Sequence, residues 1–448
     1  MVYNHISIEF EGDVTVKFGI SKEVITPVKP VKLACAGGDF DKDFLAIHDD
    51  VYVRCLVMDD GKSKVVFVAY DLLFHDRSLN VAVEKYAKDK YGIEPGALVI
   101  SYSHAHTTPA TRGYNSATYD EEYEEFLLER SKSCLDRALC VMFEGTVEHA
   151  SFNADYNISR RGNRDGKFGN IPDYNYERDS KFNVLCIRDV SGKVRSVIMN
   201  YACHPVFYPA RRTVCGEFPA RLCQYIDMKY YGCTSLFFQS AGGDVRPRAT
   251  VDDDKENGKF GWKLDLGFEG VDAFAKCISD GVSSLIECGA FDKVELSLAA
   301  EAFEIELPME PAPLEYFKEK NEFYGDDALN PNAVNASIMV NGGYDRLPDS
   351  LMLHCQAIRL SDNLFVATMG GEPCFGAEKA VLSAFGDKKV MFIGYTDSCA
   401  YVVDDKVLSE GGYEPTCHIE YCLKGPFKAG LNKLYCEGFK AALRKISE

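Results

Sequence analysis

A chain of 448 residues that is 46% hydrophobic and 26% charged has apolar material for a large core, and its length leaves room for up to three domains of roughly 150 residues. Its formal net charge of −18 repels nucleic-acid phosphates and anionic membrane surfaces, which argues against a nucleic-acid or peripheral-membrane role. Seventeen cysteines, an odd number with no C-x-x-C pair, point to free buried thiols in a reducing compartment, so the expected location is cytoplasmic.

The first 19 residues alternate polar and apolar side chains, with neither the basic start nor the apolar centre of a signal peptide. No later apolar run approaches the roughly 18 residues of a membrane-spanning helix. "ALVISYSHAH" (97–106) reads as a buried strand, and Tyr123, Leu127, Cys134, Leu135, Ala138 and Met142 then recur at helical spacing. Residues 160–179, rich in Gly, Asn and Asp, read as a surface excursion long enough to be a lid. Two more strands follow, "VRSVIMNYACHP" (194–205) and "TSLFFQSAGGD" (234–244), then a helix carrying Val271, Phe274, Ile278, Val282 and Leu285. A second excursion spans 309–350, the strands "NLFVATMGGEP" (363–373) and "KVMFIGYTDS" (389–398) come next, and the chain ends in a helix-like stretch. Each of the five strands ends in small or metal-capable residues, so the expected fold is α/β, a mixed sheet core flanked by helices, with chemistry beyond the strands' carboxyl ends.

Three of only nine histidines stand at those ends. His104 and His106 are two apart, so an extended backbone turns both imidazoles to one side, where they share a metal or set one beside a metal-bound water. As ordinary polar residues at a strand end they need no metal, and His204, alone before Pro205, fits a hydrogen-bonded structural role as well as a ligand. Glu372 lies where a strand gives way to a helix, with Pro373 suited to the first helical position, so its carboxylate also fits a helix cap.

The order and spacing of "FGISKEVITP" (18–27), "GIEPGALVISYSHAHTTP" (92–109), "ADYNISRRG" (154–162), "NYACHP" (200–205), "FFQSAGGDVRP" (237–247), "GGEP" (370–373) and "AYVVDDKVLSEGGYEPT" (400–416) resemble the catalytic domain of the neutral/alkaline, non-lysosomal ceramidases. Those enzymes are zinc-dependent amidases that cut the N-acyl bond of ceramide. The resemblance implies one ceramidase-like catalytic domain over 1–448, with zinc held by His104, His204, Glu372 and Tyr401. It implies His106 as general base and then acid, and Arg160 and Tyr413 as donors to the oxyanion of the scissile carbonyl. Tyr413 follows Tyr401 at the family's own interval of twelve residues.

The chain departs from the pattern in three ways. The family's "GDVSPN" is "GDVRPR" here, so Arg246 replaces a serine and Arg248 follows it. Two guanidiniums suit carboxylate, phosphate or sugar hydroxyls better than an alkyl chain, which makes Arg246 and Arg248 candidate substrate-binding residues, with a structural ion pair as the other reading of Arg246. The length leaves no room for the β-sandwich domain that follows in typical ceramidases, and the cysteines suggest a cytosolic rather than a secreted or membrane-facing enzyme. The expected function is a Zn2+-dependent hydrolase of the N-acyl or a related bond of a small polar substrate. A ceramidase acting on soluble or short-chain ceramide, a hydrolase of a sugar derivative and a catalytically silent ligand-binding homologue stand as alternatives.

Overall fold

The computed structural model describes residues 16–34, 41–113, 118–207, 209–254, 259–263, 266–397 and 400–447; most of the alternating amino terminus lies outside them. Two β-sheets are packed face to face, with helices over the outer face of each. The larger sheet has nine strands. Its order is Leu236–Gln239, Val194–Tyr201, Lys181–Asp189, Met142–Asn153, Lys17–Val24, Tyr52–Asp59, Lys64–Tyr70 and Leu98–Tyr102, with Asp292–Val294 paired beside Met142–Asn153. The smaller sheet runs Ala299–Pro308, Ser350–Ser361, Leu364–Met369, Lys389–Ile393. Parallel pairs within these mostly antiparallel sheets join Lys64–Tyr70 to Leu98–Tyr102, Val194–Tyr201 to Leu236–Gln239, and Leu364–Met369 to Lys389–Ile393.

The strands read as unbroken apolar runs because both of their faces are covered. Along Tyr52–Asp59, Val53, Cys55 and Val57 pack against the helices Arg77–Tyr91 and Glu121–Cys140, while Leu56 and Met58 meet the other sheet. Along Leu364–Met369, Leu364 and Val366 join that inter-sheet layer, and Phe365, Ala367 and Met369 face the helices Phe375–Leu382 and Leu431–Ile446. A third helical cover, Glu217–Lys229 with Gly267–Cys288, closes the remaining part of the large sheet. Each fully buried aliphatic in these layers contributes about 1.5–3 kcal/mol of transfer free energy.

The five strands with reactive ends are thus divided between two sheets instead of lying in one. Residues 160–179 are no loose lid: most of them form a hairpin of Asn157–Arg164 and Lys167–Asp173, to which Val245–Pro247 adds a third strand. Residues 309–350 include the helices Leu314–Tyr324 and Pro331–Ile338, which bury Phe317 and Ala336, with Met339 just after the second, against Ile419. Met142 opens a strand, although helical spacing places it on the preceding helix. Pro373 is not at a helix start, because Glu372–Pro373 pairs in parallel with Tyr401–Val402 and the helix begins at Phe375.

Candidate active site

The carboxyl ends of strands from both sheets meet and are hydrogen-bonded to one another. Tyr102 N donates to Tyr395 O at 3.0 Å, Ser101 Oγ to Gly394 O at 2.9 Å, and Gly394 N to Gln239 O at 2.9 Å. The Gln239 amide fixes both histidine-bearing turns, donating to Ser103 O at 3.2 Å and Cys203 O at 2.7 Å while accepting from Cys203 N at 3.1 Å. Asn200 crosses between the sheets, its Nδ2 donating to Phe392 O at 2.8 Å. These buried amides leave the following residues little freedom, so the side chains beyond them are held in fixed positions.

His104 and His106 converge, though not by extended alternation: His104 has a φ of 64°, and this left-handed kink turns the chain directly after the strand. The His104 ring lies 4.9 Å from that of His106 and 4.5 Å from that of His204, between centroids, and the three offer donor atoms within 4.8 Å of one another. His104 Nδ1 is anchored on Leu73 O at 3.0 Å and His204 Nδ1 approaches Gly242 O at 3.3 Å, which leaves both Nε2 atoms to the interior. His204 Nε2 faces His106 Nε2 at 3.0 Å. Glu372 Oε2 is 3.2 Å from His104 Nε2, buried and without hydrogen-bond geometry to any partner, while Oε1 accepts from the Tyr421 hydroxyl. Tyr401 stands level with Glu372 in their two-residue parallel ladder. Imidazole nitrogens oriented through their far side, beside a buried carboxylate oxygen with no hydrogen-bond partner, suit metal coordination, so these residues fit a bound metal.

Burial pushes His106 and His204 well below the ordinary imidazole range, and the neighbouring histidine and arginine charges add to this, so both rings are neutral. Burial works against the Glu372 carboxylate, but His104, the Tyr421 hydroxyl and Arg160 together hold it below the usual range. Burial drives the Tyr401 phenol well above its ordinary value, which Arg160 only partly offsets.

The three-stranded sheet delivers the two arginines. Arg246 pairs with Ile158, and Arg160 lies two residues on from Ile158, so both side chains leave the same face. The Arg160 guanidinium stands over the Tyr401 ring at 5.2 Å and the Tyr413 ring at 5.9 Å. Its Nε donates to Glu414 Oε1 at 3.0 Å, and its buried Nη2 has no hydrogen-bond partner. Arg246 stacks on Trp262 at 4.5 Å and donates to Val206 O at 3.3 Å. A cavity of about 300 Å³ is lined by His104, His106, His204, Glu372, Tyr401, Arg160, Tyr413 and Arg246 together. Arg248 is not brought there: it pairs with Asp155 at the surface and stacks on Tyr174, because the strand ends at Pro247 and Arg248 lies beyond it.

Several residues of the site have no signal in the sequence. Tyr421 and Glu420 line the cavity from the turn after Tyr413, and the Tyr413 hydroxyl donates to Glu420 Oε2 at 2.7 Å. Glu414 bridges Arg160 and Arg161, both buried. Glu217 is fully buried, accepting from His106 N at 3.3 Å and Phe207 N at 2.8 Å, and burial pushes its carboxyl up to about 8. Of these, only Glu414, adjacent to Tyr413 in "GGYEP", lies within one of the motifs.

No protein-family model matches the chain, and no curated protein does. Among solved structures, the neutral ceramidase from Pseudomonas aeruginosa superposes with a TM-score of 0.73 at 16% identity, over 97% of this chain and 75% of that one. A structure of a ceramidase complexed with C2 gives a TM-score of 0.73 at 17% identity, over 97% and 76% of the two chains. These superpositions lead to one conclusion: the chain has the fold of the solved neutral ceramidases.

Proposed function

We propose that the protein is a zinc-dependent amidohydrolase that cuts the N-acyl bond of a small polar substrate. The observation that carries this reading is the gathering of three neutral or anchored imidazoles, a buried carboxylate, two tyrosines and Arg160 around one cavity, in a chain with the neutral-ceramidase fold. In this reading His104, His204, Glu372 and Tyr401 hold the metal. Bound zinc supplies a Lewis acid and lowers the pKa of a bound water from 15.7 toward about 7. His106, kept neutral by burial, accepts a proton at its ring nitrogen and returns it to the leaving nitrogen. Arg160, with Nη2 free of other partners and its Nε held by Glu414, donates to the carbonyl oxygen as negative charge develops there, joined by the Tyr413 hydroxyl when its one proton turns from Glu420 to the substrate. Arg246 supplies the polar character of the substrate end of the cavity, through donors suited to a carboxylate, phosphate or sugar hydroxyl. The thiol content supports a reducing, cytosolic setting, since all fifteen cysteines among the described residues are free. No helix among those residues is long and apolar enough to cross a membrane.

The test pairs metal analysis with two variants. One zinc is expected in the cavity of the purified protein. His204→Ala should lose it, whereas His106→Ala should keep it and lose turnover of a soluble N-acyl substrate by about 10²–10⁴-fold. A folded, unchelated protein without a transition metal overturns the metal assignment, and identical behaviour of the two variants overturns the division between ligand and base.

A further inference from the structure

A second group of metal-capable side chains lies outside the cavity, beside the parallel pair Ala46–Ile47 and Thr213–Val214. His48, Asp49 and Cys215 follow these short strands directly, and their donor atoms all lie within 4.8 Å of one another. They meet at one atom. His48 Nδ1 is 2.6 Å from Asp49 Oδ2, and the Cys215 thiol donates to that same oxygen at 3.4 Å. Arg221 Nη1 takes the other carboxylate oxygen, Oδ1, at 3.1 Å, so it fixes Asp49 and leaves Oδ2 to the imidazole and the thiol.

Each donor is held from its far side. The His48 ring lies flat on Phe268, with centroids 3.8 Å apart and planes 3° from parallel. Glu217 N donates to Cys215 Sγ at 3.3 Å and orients it, while burial and the Asp49 and Glu217 carboxylates hold the thiol well above its ordinary range, so the thiol keeps its proton until a cation displaces it. Asp49 and Cys215 are buried, while the His48 side chain is 31% exposed and gives an ion a path from solvent.

We propose that His48, Asp49 and Cys215 form a second metal site, separate from the cavity, for a borderline-soft divalent cation such as zinc. The ligands are imidazole Nδ1, carboxylate Oδ2 and thiolate Sγ, with water on the His48 side in the fourth position. On binding, the thiol releases one proton to solvent and the imidazole carries its proton on Nε2; nothing is oxidised or reduced. The bound ion braces the catalytic histidines' segment, because Cys215 N donates to Thr107 O at 3.0 Å and Thr107 Oγ1 donates to Cys215 O at 2.8 Å, one residue after His106.

Cobalt titration of the metal-free full-length chain tests this site apart from the cavity, whose proposed ligands contain no sulfur. A thiolate-to-cobalt charge-transfer band is expected in the unmodified protein and in His204→Ala. It should vanish in Cys215→Ser, and cobalt affinity at the band should fall by about tenfold or more in His48→Gln, a partly exposed position. Absence of the band from the unmodified protein, or its persistence in Cys215→Ser, overturns the proposal. Should Cys215→Ser fail to fold, His48→Gln decides alone, and an unchanged titration overturns it.

Discussion

The Arg246 guanidinium rests on the Trp262 ring and the Val206 carbonyl while lining the cavity, where the sequence resemblance to the ceramidases implies a serine in that family. An aliphatic chain passing that cation gains nothing from its donors and adds to its desolvation, whereas a carboxylate, phosphate or hydroxyl group accepts from it. Arg246→Ser should therefore raise KM for a polar or anionic N-acyl substrate by about 10- to 150-fold, the equivalent of one charge-assisted hydrogen bond of about 1.5–3 kcal/mol, with metal content unchanged. Steady-state kinetics on matched polar and long-chain substrates check this; efficient turnover of long-chain ceramide by the unmodified protein contradicts it. At this scale much is legible in the sequence, since His104, His106, His204, Glu372 and Tyr401 each end or adjoin an apolar run. The place of Arg248 is not, because two arginines two apart look equivalent until the end of a three-residue strand decides which one enters the cavity.

Among the elements, His75 joins the starts of two helices. Its Nε2 is 2.6 Å from Glu124 Oε2, in the first turn of Glu121–Cys140, and its Nδ1 is 3.0 Å from Oδ1 of Asp76, which caps Arg77–Tyr91. Burial opposes charge on this ring, but Asp76 and Glu124 outweigh it and raise the imidazole to about 9, from 6.5. The contribution to stability is fully present below pH 6.5 and is lost as pH rises through about 9, because the folded state then holds a proton that the unfolded state has already released. Urea unfolding should show this decline of a few kcal/mol in the unmodified protein, and His75→Gln should be less stable at pH 6 and flatter across the window. A parallel curve for the variant contradicts the assignment. Glu121–Cys140 is readable from its apolar spacing, but the clamp between the two helices joins residues 49 positions apart and has no local pattern.

For the whole molecule, the site exists only where the two sheets touch. Gly243 marks that contact: its N donates to Pro373 O at 2.8 Å, and a Cβ there would meet Glu372 O at 2.6 Å and Pro373 O at 2.8 Å. Both neighbours are backbone and cannot swing aside. Gly243→Ala should therefore cost about 1–3 kcal/mol of stability and push Glu372 away from His104, weakening metal binding by about tenfold while leaving the far-ultraviolet circular dichroism native-like. Metal titration and denaturant unfolding measure the two effects; unchanged metal affinity in a destabilised variant separates the sheet contact from the site.

Sequence alone determined the α/β class, the helices Glu121–Cys140, Gly267–Cys288 and Leu431–Ile446, the reactive strand ends and the resemblance that names the metal-capable set, because periodicity and motif spacing are properties of neighbouring residues. Tertiary structure alone decided that those strand ends belong to two sheets, that a left-handed kink at His104 brings the imidazoles together, and that Tyr421, Glu414, Glu217 and Gln239 hold the site from behind. The reason is physical. A strand's apolar run reports that both faces are buried but not what buries them, and a buried polar contact is specified by two residues whose separation along the chain carries no trace of their meeting.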